Sequence, residues 1–335
     1  MMTEQPQSEA LLVLPRLRVQ NANAISSPMT WGFPAITAFT GLMTALERRL
    51  GPSMGIAFYS VGVVCHSFEP QVTQGGYTRS FHLTRNPLLQ DGSTAAIVEE
   101  GRIHLDITLV FEVELAAALL GEAERAQLAA HIGDMIAGMR IAGGSVVSPL
   151  PGKFRYPSRS TLALVPDALE ERRKEFRKLS RRWLPGFALV SRDDLLQARL
   201  AELQLTVPGA TLLDAWLDLS RLNHHAVRQK TVDKKTGDTA EAMEWMTDRR
   251  PGWIVPMPVG FAALSDLHGP GTVAGARDPR VPFRFVESVY SMGQWISPHR
   301  LTGVSDLVWE PTYDPASGLY RCFNAYQAPP SFPVS

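Results

Sequence analysis

The run Gln20-Asn21-Ala22-Asn23-Ala24-Ile25-Ser26-Ser27-Pro28 is built of short amides and hydroxyls and carries no charge. Side chains of this kind donate to phosphate oxygens and pair with the edges of unstacked bases. Trp31 and Phe33, just downstream, offer faces on which a base can stack. The same residue types also close tight turns on their own backbone, and the run alone does not decide between the two uses. Arg140 and Gly143-Gly144-Ser145 offer a second chemistry. Glycines let a phosphate approach backbone N–H groups, and an arginine adds a forked positive charge. Taken alone, a glycine pair after a helix is a cap. A third set, Arg79, His82, Thr84, Arg85, Asn86 and Pro87, makes a polar stretch with two arginines. It suits a finger wedged against a nucleic acid strand and equally an ordinary solvated hairpin.

The densest charge lies at 172–182, where seven basic residues face a single acid, Glu175. On a helix, Arg173, Arg177 and Arg181 align at intervals of four, and Lys174, Lys178 and Arg182 align beside them. Together they form one positive stripe able to follow a phosphate backbone of RNA or DNA, or merely to face solvent. Enzyme signatures are missing: there is no Walker loop, GxSxG, HExxH or kinase motif. His66, His82, His104 and His299 have no partner at a spacing that would make a general acid or base, and His224-His225 lack acidic or cysteine companions at metal spacing. The sequence therefore points to no enzyme, no cofactor and no metal. Cys65 and Cys322 are the only cysteines and have no CxxC partner, which argues against a zinc site or a disulfide scaffold.

The positioning elements follow from periodicity. Residues 11–19 read as a strand, and 35–50 as a helix whose Ile36, Phe39, Met43, Leu46 and Leu50 share a face before Gly51-Pro52. Residues 56–68 read as a second strand. The clearest signal is 102–113, where Ile103, Leu105, Ile107, Leu109, Phe111 and Val113 alternate with the intervening positions as in a strand with one buried face. A helix over 122–140 and a short strand at Val146-Val147 complete the order strand, helix, strand, strand, helix, strand. That is the split βαβ pattern of ferredoxin-like and RNA-recognition folds. The expected architecture is α+β: a ferredoxin-like core over 1–165, with a finger insertion at about 69–100, then a helical and β-containing half over 166–335. In this topology the first and third strands are neighbours, so Arg16, Arg18, His104 and Asp106 should form a polar strip on one sheet face. Four strands with helices on one side leave the other side open unless something covers it. Further helices are expected at 167–184, 193–205 and 212–222 and strands at 187–190, 253–264, 283–295 and 301–309. A mobile loop is expected at 224–247 and an extended Pro-rich tail after Asn324.

With 335 residues and 45% hydrophobic types the chain can bury a sizeable core. Lys+Arg and Asp+Glu both total 33, so any nucleic-acid contact must come from local patches or be shared with partner subunits. No apolar run is long enough to span a bilayer, and the N-terminus lacks the basic and apolar regions of a signal peptide, which makes the expected location cytoplasmic.

Several stretches together carry a family resemblance: LLVLPRLRVQNANAISSPMTWGFP (11–34), LTRNPLLQDGSTAAIVEEGR (83–102), MRIAGGS (139–145), RRWLPGFALVSRDDLLQ (181–197), PGWIVPMPVGFAALS (251–265) and QWISPHR (294–300). In this order they resemble the 5′-handle-binding subunits of type I-F CRISPR (Csy) surveillance complexes, members of the RAMP superfamily. The resemblance implies a non-catalytic, Cascade-type subunit in antiviral defence that caps the 5′ handle of the CRISPR RNA. It also implies pairing with the large subunit, contact with the adjacent backbone subunit, and target DNA as a further contact. The residues it carries over are Asn21, Asn23, Ser26, Ser27, Thr84, Arg85, Asn86, Arg140, Gly143, Gly144 and Ser145. Segments 222–250 and 324–335 match no motif. Two other readings remain: a RAMP-type endoribonuclease, for which Tyr77 and His82 are the best candidate bases, and a purely architectural subunit.

Overall fold

The fold, known from a computed structural model, is described for residues 7–76, 78–85, 88–147, 159–232, 239–248, 250 and 252–328. The chain opens with β1 (Gln7–Asn23), a small ladder of β2 (Ile25–Ser27) and β3 (Thr30–Trp31), then α1 (Ile36–Leu50) and β4 (Ile56–Pro70). The insertion that follows makes two separate two-stranded ladders, β5 (Val72–Gly75) with β6 (Thr78–Phe81) and β7 (Leu83–Arg85) with β8 (Ile97–Glu99). Next come β9 (Arg102–Ala116), α2 (Glu122–Ala137), the tight hairpin of β10 (Arg140–Ile141) and β11 (Gly144–Val147), and β12 (Thr161–Leu164). The remainder comprises α3 (Leu169–Arg182), β13 (Phe187–Ser191), α4 (Asp193–Gln204), α5 (Leu212–Ser220), β14 (His224–Val232), β15 (Thr239–Thr247), β16 (Ile254–Ala263), β17 (Val286–Ile296), β18 (Val308–Asp314) and β19 (Leu319–Asn324).

The protein is α+β, dominated by one eleven-stranded antiparallel sheet and, among the described residues, five α-helices. Within the sheet, β11, β1, β9 and β4 lie side by side in that order. Strand alternation sends neighbouring side chains to opposite faces, and both faces are buried. Leu12 and Leu14 join Leu109 and Phe111 under α1 and α2, which contribute Phe39, Leu46, Leu128 and Ile132. Leu11 and Val13 join Val64 and Val110 on the other side, beneath Phe176 of α3 and Trp183. The face that four strands would leave open is therefore covered where α3 packs.

Beyond α3 that face is the polar strip. A bulge at Leu14/Leu17 turns Arg16 so that its guanidinium pairs with Asp106 at 3.2 Å. Arg18 stands opposite Asp106 in register, and the His104 Nδ1 accepts a 3.1 Å hydrogen bond from the Asn21 backbone N–H. His66, on β4, lies beside the strip and is held at both nitrogens, 2.7 Å from the Pro185 carbonyl and 2.8 Å from the Thr108 hydroxyl. Because a carbonyl can only accept, Nδ1 carries the proton and Nε2 accepts from Thr108, which itself accepts from the Arg16 N–H at 3.2 Å. Burial, the largest influence, pushes the His66 pKa below its usual value, so this is a neutral structural histidine.

The second half contains more β-structure than its composition suggests. β13, β17, β16, β19 and β18 pair in sequence, and both end strands dock on one edge of β4, at Cys65/Val64 and at Gly62/Val61. This closes a ring of strands on β4, pinned where the Trp309 indole donates to the Leu189 carbonyl at 2.9 Å. α1 lies between this ring and the first-half sheet, and its Thr40 hydroxyl sits 2.8 Å from the Tyr320 hydroxyl. Burial pushes the Cys65 thiol and the Tyr320 phenol up to about 12, and both cysteines are free and buried.

Two expectations are corrected. Residues 224–247 are not simply a loop: β14 and β15 form a nine-residue antiparallel ladder standing apart from the main sheet. Its Trp245 is 73% exposed, so a reading that looks for buried anchors passes over it. Residues 301–309 are not one strand: they hold a 3-10 turn at Val304–Asp306, with β18 beginning only at Val308 and its partner β19 unexpected. Asn86, Tyr77 and most of the Pro-rich tail lie outside the described residues.

Candidate nucleic-acid interface

The amide-rich run is spent partly on itself. Asn23 forms a closed side-chain turn, its Nδ2 donating to the Ile25 carbonyl at 2.8 Å and its Oδ1 accepting from the Ile25 N–H at 3.0 Å. Ser26 and Ser27 both hold the Thr30 hydroxyl at 2.7 Å, and the Ser27 hydroxyl also accepts from the Met29 N–H at 3.2 Å. These contacts make a rigid β2–β3 turn. Asn21, in a left-handed conformation at φ 56°, is exposed, and among the described residues its side-chain amide has no protein partner.

The glycine hairpin is stitched to this loop. The Asn23 N–H donates to the Ala142 carbonyl at 2.8 Å, and Ser145 pairs with Gln20 in register. The two glycines play different parts. Gly144 is buried, and a Cβ there would sit 2.7 Å from the Ala22 nitrogen and the Gln20 carbonyl, so it is required for the close approach of β11 to β1. Gly143, at φ 80°, faces open space. Arg140 buttresses the bend by donating to the Gly143 carbonyl at 3.0 Å and stays exposed, as does Ser145.

Asn23, Ser26, Arg140 and Gly143 line one groove of about 810 Å³, together with Pro34, Ala35, Thr37, Ala38 and Gly41 at the start of α1. Its far wall comes from the second half: Phe261, Arg277 and Tyr320. No lining residue is acidic, and α1 begins without a side-chain cap or an acidic residue in its first turn. The partial positive charge of the helix N-terminus and two exposed arginines therefore act on the same space. Sequence reasoning missed Phe261, Arg277 and Tyr320. Arg277 sits in a Gly- and Pro-rich stretch with no periodicity, and only the tertiary fold brings it to the same groove as Arg140.

The finger makes a second cleft on the other side of the β2–β3 turn, lined by Ile25, Ser27, Met29, Trp31, Val72, Arg79 and Phe81. Trp31 meets Phe81 edge-on at 5.7 Å and remains 49% exposed, while Phe33 is packed between Phe39 and Trp295. Arg79 is exposed, with its Nε donating to Gln74 at 3.3 Å. Thr84 donates to Glu100, which also takes the Arg102 guanidinium and is held below the usual carboxylate range by these hydrogen bonds, Thr84 first. Arg85 is exposed, with no side-chain partner among the described residues. The structure thus gathers Asn23, Ser26, Arg140 and Gly143 in one groove and Ser27, Trp31 and Arg79 in the adjoining cleft, with Thr84 and Arg85 farther along the insertion.

The stripe residues Arg173, Lys174, Arg177, Lys178 and Arg181 are all exposed on α3, on the sheet face away from α1.

A model of the CRISPR-associated protein family Cas_Csy2 matches residues 12–322, nearly the whole described chain. The chain belongs to the Csy2 family. A curated relative, CRISPR-associated protein Csy2 of Pseudomonas aeruginosa (strain UCBPP-PA14), is 48% identical over 315 residues, covering 93% of this chain and 94% of that protein. Both grooves of this Csy2-family chain lie within the matched span, including the far-wall residues Arg277 and Tyr320. Among its described residues no helix is long and apolar enough to cross a membrane.

Proposed function

We propose that this Csy2-family chain is a non-catalytic subunit of a type I-F CRISPR surveillance complex that grips the 5′ handle of the CRISPR RNA. The observation that carries the reading is the acid-free groove lined by both Arg140 and Arg277 beside the uncapped start of α1. Single-stranded RNA is recognised by splaying its bases against aromatic faces and amides while cations hold the phosphates. The groove provides two arginines and Phe261, and the adjoining cleft provides Trp31 and Arg79. The rigid turn between them divides the path in two, which suits a strand kinked at that point.

The core is read as ferredoxin-like, of the RAMP type. The strand order β11-β1-β9-β4 with α1 and α2 on one face supports this. The complex is cytoplasmic. The large subunit and the adjacent backbone subunit are the proposed protein partners, and target DNA is the further nucleic-acid contact.

The test is retention of handle RNA by the purified protein as salt is raised. Arg140→Ala, Arg277→Ala and Arg85→Ala each release RNA at lower salt, and each lost phosphate contact flattens the log–log salt slope by about 0.7. If all three hold RNA as tightly as the parent, neither the groove nor the finger is the site. RNA recovered intact supports the non-catalytic role, whereas metal-independent cleavage abolished by His82→Ala identifies an endoribonuclease. Crosslinking with no adduct near 20–34, 79–87 or 140–145 identifies an architectural subunit.

A further inference from the structure

We propose that the outer face of α3 is a second nucleic-acid surface, one that receives the phosphate backbone of a duplex. Three observations carry this. First, the face carries more cations than its carboxylates pair. Of the seven cations between 172 and 182, Arg172 pairs with Glu9 at 2.9 Å, Arg173 with Glu170 at 3.1 Å and Lys178 with Glu175 at 2.5 Å. Lys174, Arg177, Arg181 and Arg182 are exposed and, among the described residues, make no salt bridge, although the Glu175 carboxylate also acts at longer range on Lys174 and Arg182. Compensation of the helix dipole accounts for Arg181 and Arg182 in the last turn, but not for Lys174 and Arg177.

Second, a distant part of the chain extends the same patch. The 3-10 turn Pro298–Arg300 packs against α3 and adds exposed His299 and Arg300. Two elements more than a hundred residues apart thus contribute cations to one surface of a chain whose net charge is zero.

Third, the surface differs chemically from the RNA groove and lies on the other face of the sheet. α3 sits over Leu11 and Val13, whereas α1 sits over Leu12 and Leu14. The aromatic residues of the α3 region, Phe176 and Trp183, are both buried. Without an exposed ring, α3 offers no platform on which unpaired bases could stack. Its row of cations from Arg172 to Arg182, about 15 Å long at 1.5 Å per residue, contacts phosphates alone. A duplex, whose bases are already stacked and paired, presents only phosphates to such a surface.

This inference stands independently of the handle-binding proposal, and the experiment separates the two. The full chain is titrated by fluorescence anisotropy against a mixed-sequence DNA duplex and, in parallel, against single-stranded handle RNA across a salt series. Replacing Lys174, Arg177, Arg181 and Arg182 together by Gln is expected to weaken duplex binding more than tenfold. The log–log salt slope should fall by about 3 to 4, at 0.9 per phosphate contact. Handle-RNA binding and the melting temperature should stay at parental values. Glu175→Gln, which frees Lys178, should tighten duplex binding, and Arg300→Gln should weaken it.

The proposal is overturned if the parent binds no duplex, if the fourfold variant keeps the parental slope, or if that variant loses duplex and single strand in equal measure. Displacement of the duplex by polyglutamate at equal charge concentration overturns it in favour of an acidic protein partner. A parent that binds duplex but not handle RNA leaves this surface intact and removes the handle-binding proposal alone.

Discussion

The backbone N–H of Asn23 donates to the carbonyl of Ala142 across 2.8 Å, joining the end of the first strand to the bend after the second helix. This bond brings the turn and the glycine hairpin into one wall, with Arg140 and Gly143 facing outward and Gly144 facing in.

Gly144→Ala is therefore expected to destabilise strongly, because its methyl would meet backbone atoms 2.7 Å away that cannot move without opening the β1–β11 pairing. Gly143→Ala meets no neighbour and carries only the cost of a left-handed residue, about 1 kcal/mol. Thermal denaturation should separate the two variants clearly. RNA binding normalised to folded protein should be affected more by Gly143→Ala.

His66 makes stability depend on pH. Burial lowers its folded pKa below the ordinary 6.5. Between those two values the unfolded chain binds the extra proton, so the contribution is full above about pH 6.5 and declines as pH falls towards the folded value. Melting temperatures from about pH 7.5 down to 5 should show this fall in the parent, and His66→Gln should show a shallower one. Equal slopes would remove His66 from the account.

The Trp309 indole anchors the ring at the Leu189 carbonyl. Trp309→Phe keeps an aromatic ring but leaves a buried acceptor unmatched, at a cost of about 1–3 kcal/mol before the lost volume is counted. Urea unfolding should register this as a lower midpoint without a change in slope.

Trp31 and Phe81 should be energetically coupled through their edge-on contact. A double-mutant cycle with Ala at both positions should return about 0.5–1.5 kcal/mol. A value near zero would mean that the finger and the turn act independently.

Much of this was readable from residue order. The alternation at 103–113 marked β9, and the sequence of strands and helices implied that the first and third strands adjoin, which is why Arg16, Arg18, His104 and Asp106 do form one polar strip. The asymmetry between Gly143 and Gly144 was not readable, because it depends on how close β1 runs to β11. Nor was Arg277, whose position is set by the tertiary fold rather than by local pattern. The β14–β15 ladder escaped because strand recognition relied on burial, and its Met243, Trp245 and Met246 are exposed.

Tyr320 and Arg277, both far along the chain, wall a groove whose floor is laid down by residues 34–45. During synthesis that floor leaves the ribosome long before its opposite wall exists. A nascent chain therefore has no complete groove until its last paired strand has emerged, and a product truncated before β19 lacks Tyr320 whatever the state of its first half.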